Sequence, residues 1–519
     1  MAAAFRQCCI TCVFLVLSAC AVDEPSNPNQ QPSFAIMTSG NRYYVADHDT
    51  SSSYPGTITQ PWPLHFALRG AGGVIQAGDT VWIRGGTYRG DPAVAQGKGK
   101  YIVTVSTGQP SVPIVFRAYA GERPILQDST VGAPGTDSGK SQLNVQTGNL
   151  VFVGLEFTNI HPNRTTVRPD MIYNNAGANN NVYDQLVIHD GGVGFYNDPA
   201  ASNVMIQNSV IYNIGYQGTD RGHGHGIYLR SNIGHVWAAG NAIFNTFGYG
   251  IHAYTDPGAG KLIRIILSSN VVFNSGTLSN NSNEANILLG GSDFADADTV
   301  AYNATYFTPG YGKINVQFGY GTFRNGSIYV RSGNYFVGGK TVLDIGYWGA
   351  QSFTWDWEQT FAGSDTIVAM HDSTTFGGGD PAIGMTFYRD TMATAWTYGN
   401  VAGNLPWWRA ATGVDNSPEN MKPPTVEVRY GGPFIAIYNW GNQSSVSVAA
   451  FRLCSANGQT YTVRNVQNLW GTPVTTGTCN LSQNISLPIQ SATPPTPIGM
   501  AGPGPSTGTA FVVYRVDHP

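Results

Sequence analysis

The sequence has little charge, few cysteines and no long runs of helix-forming residues. Charged residues make up 11% of the 519 positions, the net charge is −4, and Lys and Arg form no cluster. No nucleic-acid partner is therefore expected, because such partners are held by basic patches. Glycine occurs 64 times and aromatic residues make up 12% of the chain. This composition is typical of an all-β protein with many turns.

Cysteine is nearly absent from the body of the chain. Four of the six cysteines fall within the first twenty residues, which leaves Cys454 and Cys479. In an oxidising compartment these two residues can form one disulfide that staples the C-terminal region. The sequence shows no metal-ligand spacing, so we predict no structural zinc site and no metal-binding residues.

The N-terminus has the features of an export signal. Arg6 supplies a positive charge, an apolar stretch follows it, and Leu-Ser-Ala-Cys ends the stretch at Cys20. The stretch is too short to cross a bilayer, and no later segment is apolar enough to do so. The ending resembles the lipobox of bacterial lipoproteins, in which the cysteine is lipidated; an ordinary signal peptide is the alternative. We expect a signal peptide over 1–20, lipidation at Cys20 and a flexible tether over 21–40.

This reading predicts an exported protein, either an outer-membrane lipoprotein or an extracellular one. Its contact with the membrane would be made through the lipid anchor only.

A loose repeat runs from about residue 142 to residue 303. Short β-prone runs end in Asn or Asp, and the steps between these closing residues are 31, 23, 32 and 29. The closing residues are Asn159, Asp190, Asn213, Asn245 and Asn274. A second series of short strands interleaves with the first, and no helical pattern separates them. This spacing predicts a parallel β-helix, in which Asn or Asp turns each corner and stacked amides bond between rungs.

Several segments resemble a known family. They are YYVA at 43–46, YPGT at 54–57, GDTVWIRGGTY at 78–88, GHGHGIY at 222–228 and GYGIHAY at 248–254. They are similar to pectate-lyase-like right-handed parallel β-helix proteins of exported bacterial type. The resemblance implies a solenoid over 41–350, with an N-terminal segment covering its open end. It implies no single reaction, because this superfamily includes lyases, hydrolases, epimerases and binding proteins.

The remaining chain divides into two parts. Residues 351–423 are predicted to be an irregular connection rich in Trp and Gly, and 424–519 to be a β-sandwich-like domain of short alternating strands. We expect the sandwich to cover the last edge of the solenoid, since an open sheet edge invites aggregation. A separate carbohydrate-binding module with exposed tryptophans is the alternative.

Side-chain alternation along the second strand series assigns an inward and an outward set. The inward column contains Ile172, Phe195, Ile227, Ile251 and Ile287. The first outward column contains Tyr173, Tyr196, Tyr228, His252 and Leu288, and the next contains Asn175, Asp198, Arg230, Tyr254 and Gly290. With rungs about 4.8 Å apart, four rungs form a groove wall roughly 15 Å long. Such a wall suits an extended polysaccharide, although stacked tyrosines also serve simply to stabilise rungs.

A lyase acting on a uronate-containing polysaccharide fits these groups best. β-Elimination needs a cation at the carboxylate, a base at the adjacent carbon and an acid for the leaving oxygen. Arg230 is assigned to the carboxylate, and either His225 or His252 is assigned as the base. Tyr228 or Tyr254 would be the acid, with a pKa lowered by the neighbouring arginine.

Substrate binding is assigned to the outward strip and to two loops beside it. The predicted residues are Tyr173, Tyr196, Asp198, Asp220, Arg221, His223 and Arg164. The glycines between residues 216 and 226 would let the first loop bend tightly towards a ligand. The loop that carries Arg164 has a simple turn between strands as its alternative role.

Two other functions stay open. The Gly-His-Gly pattern is similar to one in pectin-type hydrolases, but their paired aspartates are missing and only Asp198 and Asp220 form a near carboxylate pair. A non-catalytic glycan-binding or envelope protein is the other alternative. No cofactor is predicted, because calcium-dependent pectate lyases use an acidic cluster that this strip lacks, although loop carbonyls can still bind Ca²⁺.

Overall fold

The computed structural model describes residues 40–91, 100–132, 141–280, 284–320, 325–346, 348, 353–355, 359–363, 365–371, 386–388, 396–399, 401–412 and 423–518. Three long, almost entirely parallel sheets dominate this part of the chain. Each rung contributes one short strand to each sheet, so the rungs stack as a parallel β-helix. This confirms the predicted all-β solenoid. The signal peptide, Cys20 and the tether up to residue 39 lie outside the described residues.

The three sheets are called sheets 1, 2 and 3. Sheet 1 contains, in spatial order, Trp62–Pro63, Arg42–Ala46, Thr80–Ile83, Ile114–Ala118, Leu150–Val153, Val182–Asp184, Val204–Gln207, Val236–Ala239, Ile265–Ser268, Asp298–Ala301, Ile328–Val330 and Phe353–Trp355. Sheet 2 contains Gly86–Tyr88, Pro124–Asp128, Glu156–Asn159, Val187–His189, Val210–Tyr212, Ala242–Phe244, Val271–Phe273, Ala304–Tyr306, Tyr335–Val337, Thr360–Ala362 and Thr386–Tyr388. Sheet 3 contains Tyr101–Val103, Ser141–Val145, Asp170–Asn174, Phe195–Asn197, Ile227–Leu229, Ile251–Ala253, Ile287–Leu289, Ile314–Phe318, Thr341–Ile345, Thr366–Met370, Trp396–Tyr398 and Val401–Gly403.

The remaining elements are short. Two small strand pairs lie outside the rungs: Tyr216–Gln217 with Gly222–His223, and Leu262–Ile263 with Ala295–Asp296. The α-helices are Leu64–Leu68 and Leu405–Thr412, and the 3₁₀ helices are Ala71–Gly73, Ala450–Arg452 and Val466–Asn468. No helix among the described residues combines the length and the apolar character needed to span a bilayer.

The corners of the rungs follow the sequence prediction in part. Asp190, Asn213, Asn245 and Asn274 adopt positive φ angles of 50–61°, as predicted for the closing residues. Their side chains do not form the expected ladder, however, because they face the C-terminal segment. A different set stacks instead: Asn241, Asn270, Asn303 and Asn334 are fully buried, and each side-chain amide donates to the next at 3.0, 2.9 and 3.2 Å.

The solenoid extends beyond its predicted end at residue 350. Sheet 1 continues in Phe353–Trp355, sheet 2 in Thr360–Ala362 and Thr386–Tyr388, and sheet 3 in Thr366–Met370 and Trp396–Tyr398. The predicted irregular connection over 351–423 is therefore wrong for these described strands. They are only three to five residues long, and the segments between them obscured the repeat.

Both ends of the solenoid core are covered by a short helix. At the N-terminal end, Leu64–Leu68 buries three apolar side chains in the core. At the C-terminal end, the antiparallel strand Val401–Gly403 closes sheet 3, and Leu405 and Trp408 of the following helix are buried in the same core. The N-terminal segment thus covers its end of the solenoid as predicted, whereas at the C-terminal end a helix performs the capping role predicted for the sandwich.

The C-terminal domain is a β-sandwich, as predicted. One sheet contains Glu427–Gly431, Phe434–Tyr438, Phe511–Asp517, Thr460–Asn465 and Thr475–Thr478, and the other contains Ser445–Ala449 and Asn484–Pro488. Val448 and Leu487 of the smaller sheet pack on Ile435 and Ile437 of the larger one. The predicted disulfide between Cys454 and Cys479 is present within this core.

The sandwich packs along the outer face of sheet 2 and not on the end of the solenoid. In the strand Phe434–Tyr438, Phe434, Ala436 and Tyr438 join an apolar cluster with Phe244 and Phe273 of sheet 2. The alternate residues of the same strand enter the sandwich's own core. This strand is buried on both faces, which explains why all its residues are apolar. The predicted end position is wrong because sheet 2 presents its own column of outward apolar side chains.

Candidate active site on sheet 3

The outward strip of sheet 3 has the register that the sequence predicted. Ile172 pairs with Phe195, Phe195 with Ile227, Ile227 with Ile251, and Ile251 with Ile287. All five side chains are fully buried in the solenoid core. The next residue on each strand therefore points outward, which places the tyrosines and His252 on neighbouring rungs.

The aromatic rings of this strip form a continuous stack. Tyr173 and Tyr196 lie parallel at 4.7 Å, and Tyr196 meets Tyr228 edge-on at 5.1 Å. Tyr228 then contacts His252 at a centroid distance of 4.8 Å. The strip is less open than a groove wall, because only 3% of Tyr173, 9% of Tyr196 and 6% of His252 are exposed. Neighbouring rings and loops cover it and leave Tyr228 as the more accessible ring of the stack.

His252 and the four side chains around it form what we call the histidine pocket: His225, Tyr228, Tyr249, His252 and Tyr254. The His252 ring lies between Tyr249 and Tyr254, parallel to both, with centroids at 4.4 and 4.8 Å. The His225 ring approaches it to 4.1 Å. The Nδ1 atom of His252 is buried and has no hydrogen-bond partner among the described residues. The pocket therefore contains an imidazole nitrogen whose bonding capacity is unused.

Both histidines are held neutral. Burial, together with the charges of Arg221 and His223, lowers the pKa of His225 to about 3. Burial also lowers the pKa of His252 well below its ordinary value, with contributions from His225 and from Arg221 and Arg230. The backbone N–H of Tyr249 donates to Nδ1 of His225 at 3.2 Å, so the proton of that neutral ring lies on Nε2.

Arg230 brings a positive charge to the edge of the pocket. Its Nη2 atom donates to the Tyr228 hydroxyl at 2.5 Å, and its Nε atom donates to the Tyr254 carbonyl at 3.3 Å. Asp256 lies 3.5 Å away and is largely exposed. Burial raises the pKa of Tyr228, and this effect outweighs the lowering by Arg230. The expected depression of the tyrosine pKa is therefore wrong, because the ring loses more hydration than the guanidinium returns.

A small hairpin borders the pocket at its His225 side. It pairs Tyr216–Gln217 with Gly222–His223, and His223 hydrogen-bonds Asp220 at 2.7 Å while its ring stacks on Tyr216. This hydrogen bond lowers the pKa of Asp220. Arg221 is 40% exposed and lies 3.8 Å from the buried carboxylate of Glu284. The three loop residues predicted to bind substrate thus lie together at the rim.

The hairpin depends on one close backbone approach. A Cβ atom on Gly224 would lie 2.1 Å from the carbonyl oxygen of Gly192 on the preceding rung. The φ angle of Gly224 is also +87°, a conformation that favours glycine. The residue next to His225 therefore has to be glycine for the hairpin to lie against the rungs.

The structure places Arg164 away from the strip. Its guanidinium is buried, pairs with Asp190, and donates to the carbonyls of Gly215 at 2.9 Å and Ile498 at 2.7 Å. Arg164 therefore ties the solenoid to the C-terminal segment and does not make the predicted substrate contact. Residue spacing could not predict these contacts, because Arg164 lies on a long loop whose path the spacing does not determine.

Asp198 lies on the strip as predicted, but its carboxylate is engaged. It accepts a hydrogen bond from the Tyr173 hydroxyl at 3.1 Å and one from the backbone N–H of Ala200 at 2.9 Å. Two aromatic residues near the pocket were not predicted: Tyr249, and Tyr320, which meets Tyr254 edge-on at 5.1 Å. A Gly-Tyr-Gly motif surrounds both residues and was the available signal.

The donor set of this region does not fit a calcium ion. Ca²⁺ takes about six to eight oxygen ligands, with several carboxylates among them. The described residues contain no group of three or more His, Cys, Asp or Glu side chains suited to hold a metal. On the strip, Asp198 is hydrogen-bonded to Tyr173 and the pocket itself is built of rings.

The region that carries this pocket matches a family model. The model is described as the Pel9A-like, right-handed β-helix region, and it matches residues 43–312, more than half of the chain. The chain belongs to this family. Membership in the Pel9A-like family confirms the pectate-lyase-like right-handed β-helix predicted from the sequence. The strip from Tyr173 to Tyr254 lies wholly inside the matched region.

Several solved structures are similar to this Pel9A-like chain. A rhamnogalacturonan lyase is 17% identical, with a TM-score of 0.46, and the match covers 74% of this chain and 89% of that one. The pectate lyase Pel9A is 16% identical, with a TM-score of 0.41 and coverages of 71% and 79%. The GH136 lacto-N-biosidase from Eubacterium ramulus is 13% identical, with a TM-score of 0.44 and coverages of 70% and 67%. The chain has no significant match among curated proteins.

Proposed function

We propose that the protein is a polysaccharide lyase that cleaves a uronate-containing glycan by β-elimination in the histidine pocket. The observation that carries this proposal is the convergence of three groups. Arg230 donates to the Tyr228 hydroxyl, and the Tyr228 ring contacts the neutral ring of His252. Tyr228 thus contacts both the cation of Arg230 and the imidazole of His252. These are the groups that the reaction needs.

The first step would be proton removal next to the uronate carboxylate. Arg230 pairs with that carboxylate and stabilises the negative charge that develops as the carbon loses its proton. His252 accepts the proton as a neutral imidazole. Its pKa is low in the free protein, partly because of Arg221 and Arg230. A bound carboxylate offsets these two charges and so makes His252 a stronger base when substrate is present.

The second step would be departure of the glycosidic oxygen. The electron pair left by the proton forms the new carbon–carbon double bond, and the bond from the adjacent carbon to the glycosidic oxygen breaks. Tyr228 protonates this oxygen, and solvent returns the proton from His252 to the phenolate. The Tyr228 hydroxyl carries its proton at neutral pH, as this role requires, but burial raises its pKa and so makes it a weaker acid than a free tyrosine.

The test is absorbance near 235 nm, where an unsaturated uronyl product absorbs, with polygalacturonate and alginate as substrates. We expect His252→Ala, Arg230→Ala and Tyr228→Phe each to lower kcat about 10²–10⁴-fold, the usual range for an acid, base or charge-stabilising group. His48→Ala, at an exposed histidine near the N-terminus, is the matched control and should keep full activity. Turnover that survives His252→Ala and Tyr228→Phe would refute the assignment.

One observation favours a hydrolase as the second candidate. Burial raises the pKa of Asp170 to about 7, and this residue begins the sheet 3 strand that carries Tyr173. A carboxylic acid that stays protonated near neutral pH suits protonation of a glycosidic oxygen. Hydrolysis would release reducing ends without absorbance near 235 nm. Loss of that release in Asp170→Asn, with activity retained in His252→Ala, would favour the hydrolase and overturn the lyase.

We also propose that the protein is exported and anchored by a lipid on Cys20, as the N-terminal residues suggest. Fractionation of the producing cells tests this proposal. The wild type should appear in the membrane fraction, and Cys20→Ala should prevent lipid attachment and the associated signal cleavage. Mass spectrometry of the mature N-terminus without a lipid would contradict it.

A further inference from the structure

A second cleft lies two or more rungs further along the solenoid than the histidine pocket. It has a volume of about 630 Å³ and lies where the turns that follow sheet 2 meet the C-terminal sandwich. Its aromatic lining comes from both parts of the protein and consists of Tyr306, Phe307, Tyr311, Tyr388 and Trp440. The volume falls within the range of about 300–1,000 Å³ that is typical of sites for small ligands.

Two of these rings are unusually exposed for their size. Trp440 is 38% exposed and Tyr311 is 40% exposed. Tyr388 meets Trp440 at a centroid distance of 6.4 Å and an angle of 66°, so the two rings form a corner. Aromatic faces left open in a cleft offer apolar surface against which the C–H face of a pyranose ring can stack.

Trp440 is held in place before any ligand binds. Its indole N–H donates to the Tyr335 hydroxyl at 3.3 Å, and its ring lies nearly parallel to Tyr438 at 6.4 Å. Tyr438 is fully buried and donates to the Thr305 carbonyl at 3.0 Å. A ring fixed in this way loses little conformational entropy when it binds, which favours recognition over simple surface adhesion.

The rim of the cleft is polar. Lys340 and Asp365 are both exposed there, and the Gly310 and Gly312 backbone forms part of the wall. The backbone N–H of Lys340 donates to the Gly312 carbonyl at 3.1 Å, which fixes the base of the lysine while its ammonium extends into solvent. An ammonium and a carboxylate beside aromatic faces can bind the carboxylate and hydroxyl groups of a uronate sugar.

We propose that this cleft is an accessory binding site for pyranose units of a uronate polysaccharide. The polymer stacks on Trp440 and Tyr388, and one of its carboxylates pairs with Lys340. The inference rests on the proposed function for the class of polymer, but the cleft takes no part in cleavage. It would hold a long chain on the protein while a distant part of that chain enters the histidine pocket.

Affinity electrophoresis in gels containing polygalacturonate, alginate or neutral xylan tests the proposal, with the full chain and its variants. We expect Trp440→Ala to weaken retention by one of the uronate polymers at least 10-fold. Lys340→Gln should weaken it less and should reduce its dependence on salt. Trp470→Ala is the matched control, since Trp470 is a half-exposed tryptophan of the same domain that packs on Arg123. Trp440→Phe keeps an aromatic ring at this position and should retain most of the binding. It therefore distinguishes loss of the ring from misfolding of the protein.

The outcomes distinguish this inference from the lyase proposal. If Trp440→Ala is no longer retained by the polymer, and the wild type forms no product that absorbs near 235 nm, the cleft is supported and the lyase reaction is refuted. Retention that is lost in Tyr196→Ala but unchanged in Trp440→Ala overturns the cleft and leaves the reaction standing. Retention by xylan alone overturns the uronate specificity of the cleft. Activity on short oligosaccharides should be the same in Trp440→Ala and the wild type, because such substrates do not span both sites.

Discussion

Raising the pH should weaken the fold through one largely buried histidine of sheet 2. His189 lies between two carboxylates: its Nε2 atom is 3.0 Å from Glu156, and its Nδ1 atom is 2.8 Å from Asp190. Glu156 also pairs with Arg123, and Asp190 pairs with Arg164. The Asp190 carboxylate accepts a further hydrogen bond from the backbone of the C-terminal segment. Protonated His189 therefore belongs to a buried ionic network at the contact between solenoid and sandwich.

The size of the effect follows from the pKa of His189. Burial alone would lower this pKa, but hydrogen bonds and charges from Asp190 and Glu156 raise it from 6.5 to about 9. The folded state thus binds a proton that the unfolded chain releases at lower pH. The stabilisation is complete below pH 6.5 and is lost as the pH rises through about 9. At about 1.4 kcal/mol for each pKa unit, the loss amounts to about 3 kcal/mol.

The assay is chemical denaturation of the wild type and His189→Gln at pH 6 and pH 10. The difference in unfolding free energy between the two proteins should shrink by about 3 kcal/mol at the higher pH. Taking this difference cancels groups that titrate equally in both proteins. His48→Gln, at an exposed histidine, should show no such change. A difference that stays constant with pH would refute the view that His189 is charged in the folded protein.

Three further predictions concern other parts of the molecule. Asn270→Ala should lower the free energy of unfolding by about 2–3 kcal/mol, because it leaves the buried amides of Asn241 and Asn303 without their hydrogen bonds to Asn270. The shift in the denaturation midpoint measures this loss of stability. Replacing both Cys454 and Cys479 by Ser should cost about 3 kcal/mol in the sandwich, as expected for a loop of 25 residues, and an unchanged Tm would contradict it. Gly224→Ala should abolish polysaccharide cleavage by displacing the hairpin beside the pocket, whereas Gly132→Ala, where a Cβ meets nothing within 4 Å, should be silent in the same assay.

The register of sheet 3 could be predicted because it depends on a local rule. The inward column from Ile172 to Ile287 is wholly apolar and buried, so it fixes which residues pair on successive rungs. Once that column is known, alternation places Tyr228 and His252 side by side. The prediction stopped at residue 350, because the Trp- and Gly-rich sequence between the later strands hid the repeat.

The accessibility of the strip could not be predicted from this rule. Tyr249 reaches the pocket from outside the strand cores and stacks on His252, which is only 6% exposed. That burial decides the chemistry, since it lowers the pKa of both histidines and raises that of Tyr228. Residue type and spacing do not reveal the loss of hydration that produces these changes.

By itself, the sequence determined the all-β class, the rung register, the disulfide and the set of polar groups on the sheet 3 strip. The class follows from the composition, and the disulfide from the two cysteines that remain after residue 20. The register and the polar strip follow from the alternation of residues along each short strand. Tertiary structure alone decided where the sandwich docks, that Arg164 binds Asp190 and not substrate, and that Trp440 and Tyr388 meet in a cleft. These outcomes depend on contacts between parts of the chain 26 to more than 300 residues apart, whose partners no local pattern specifies.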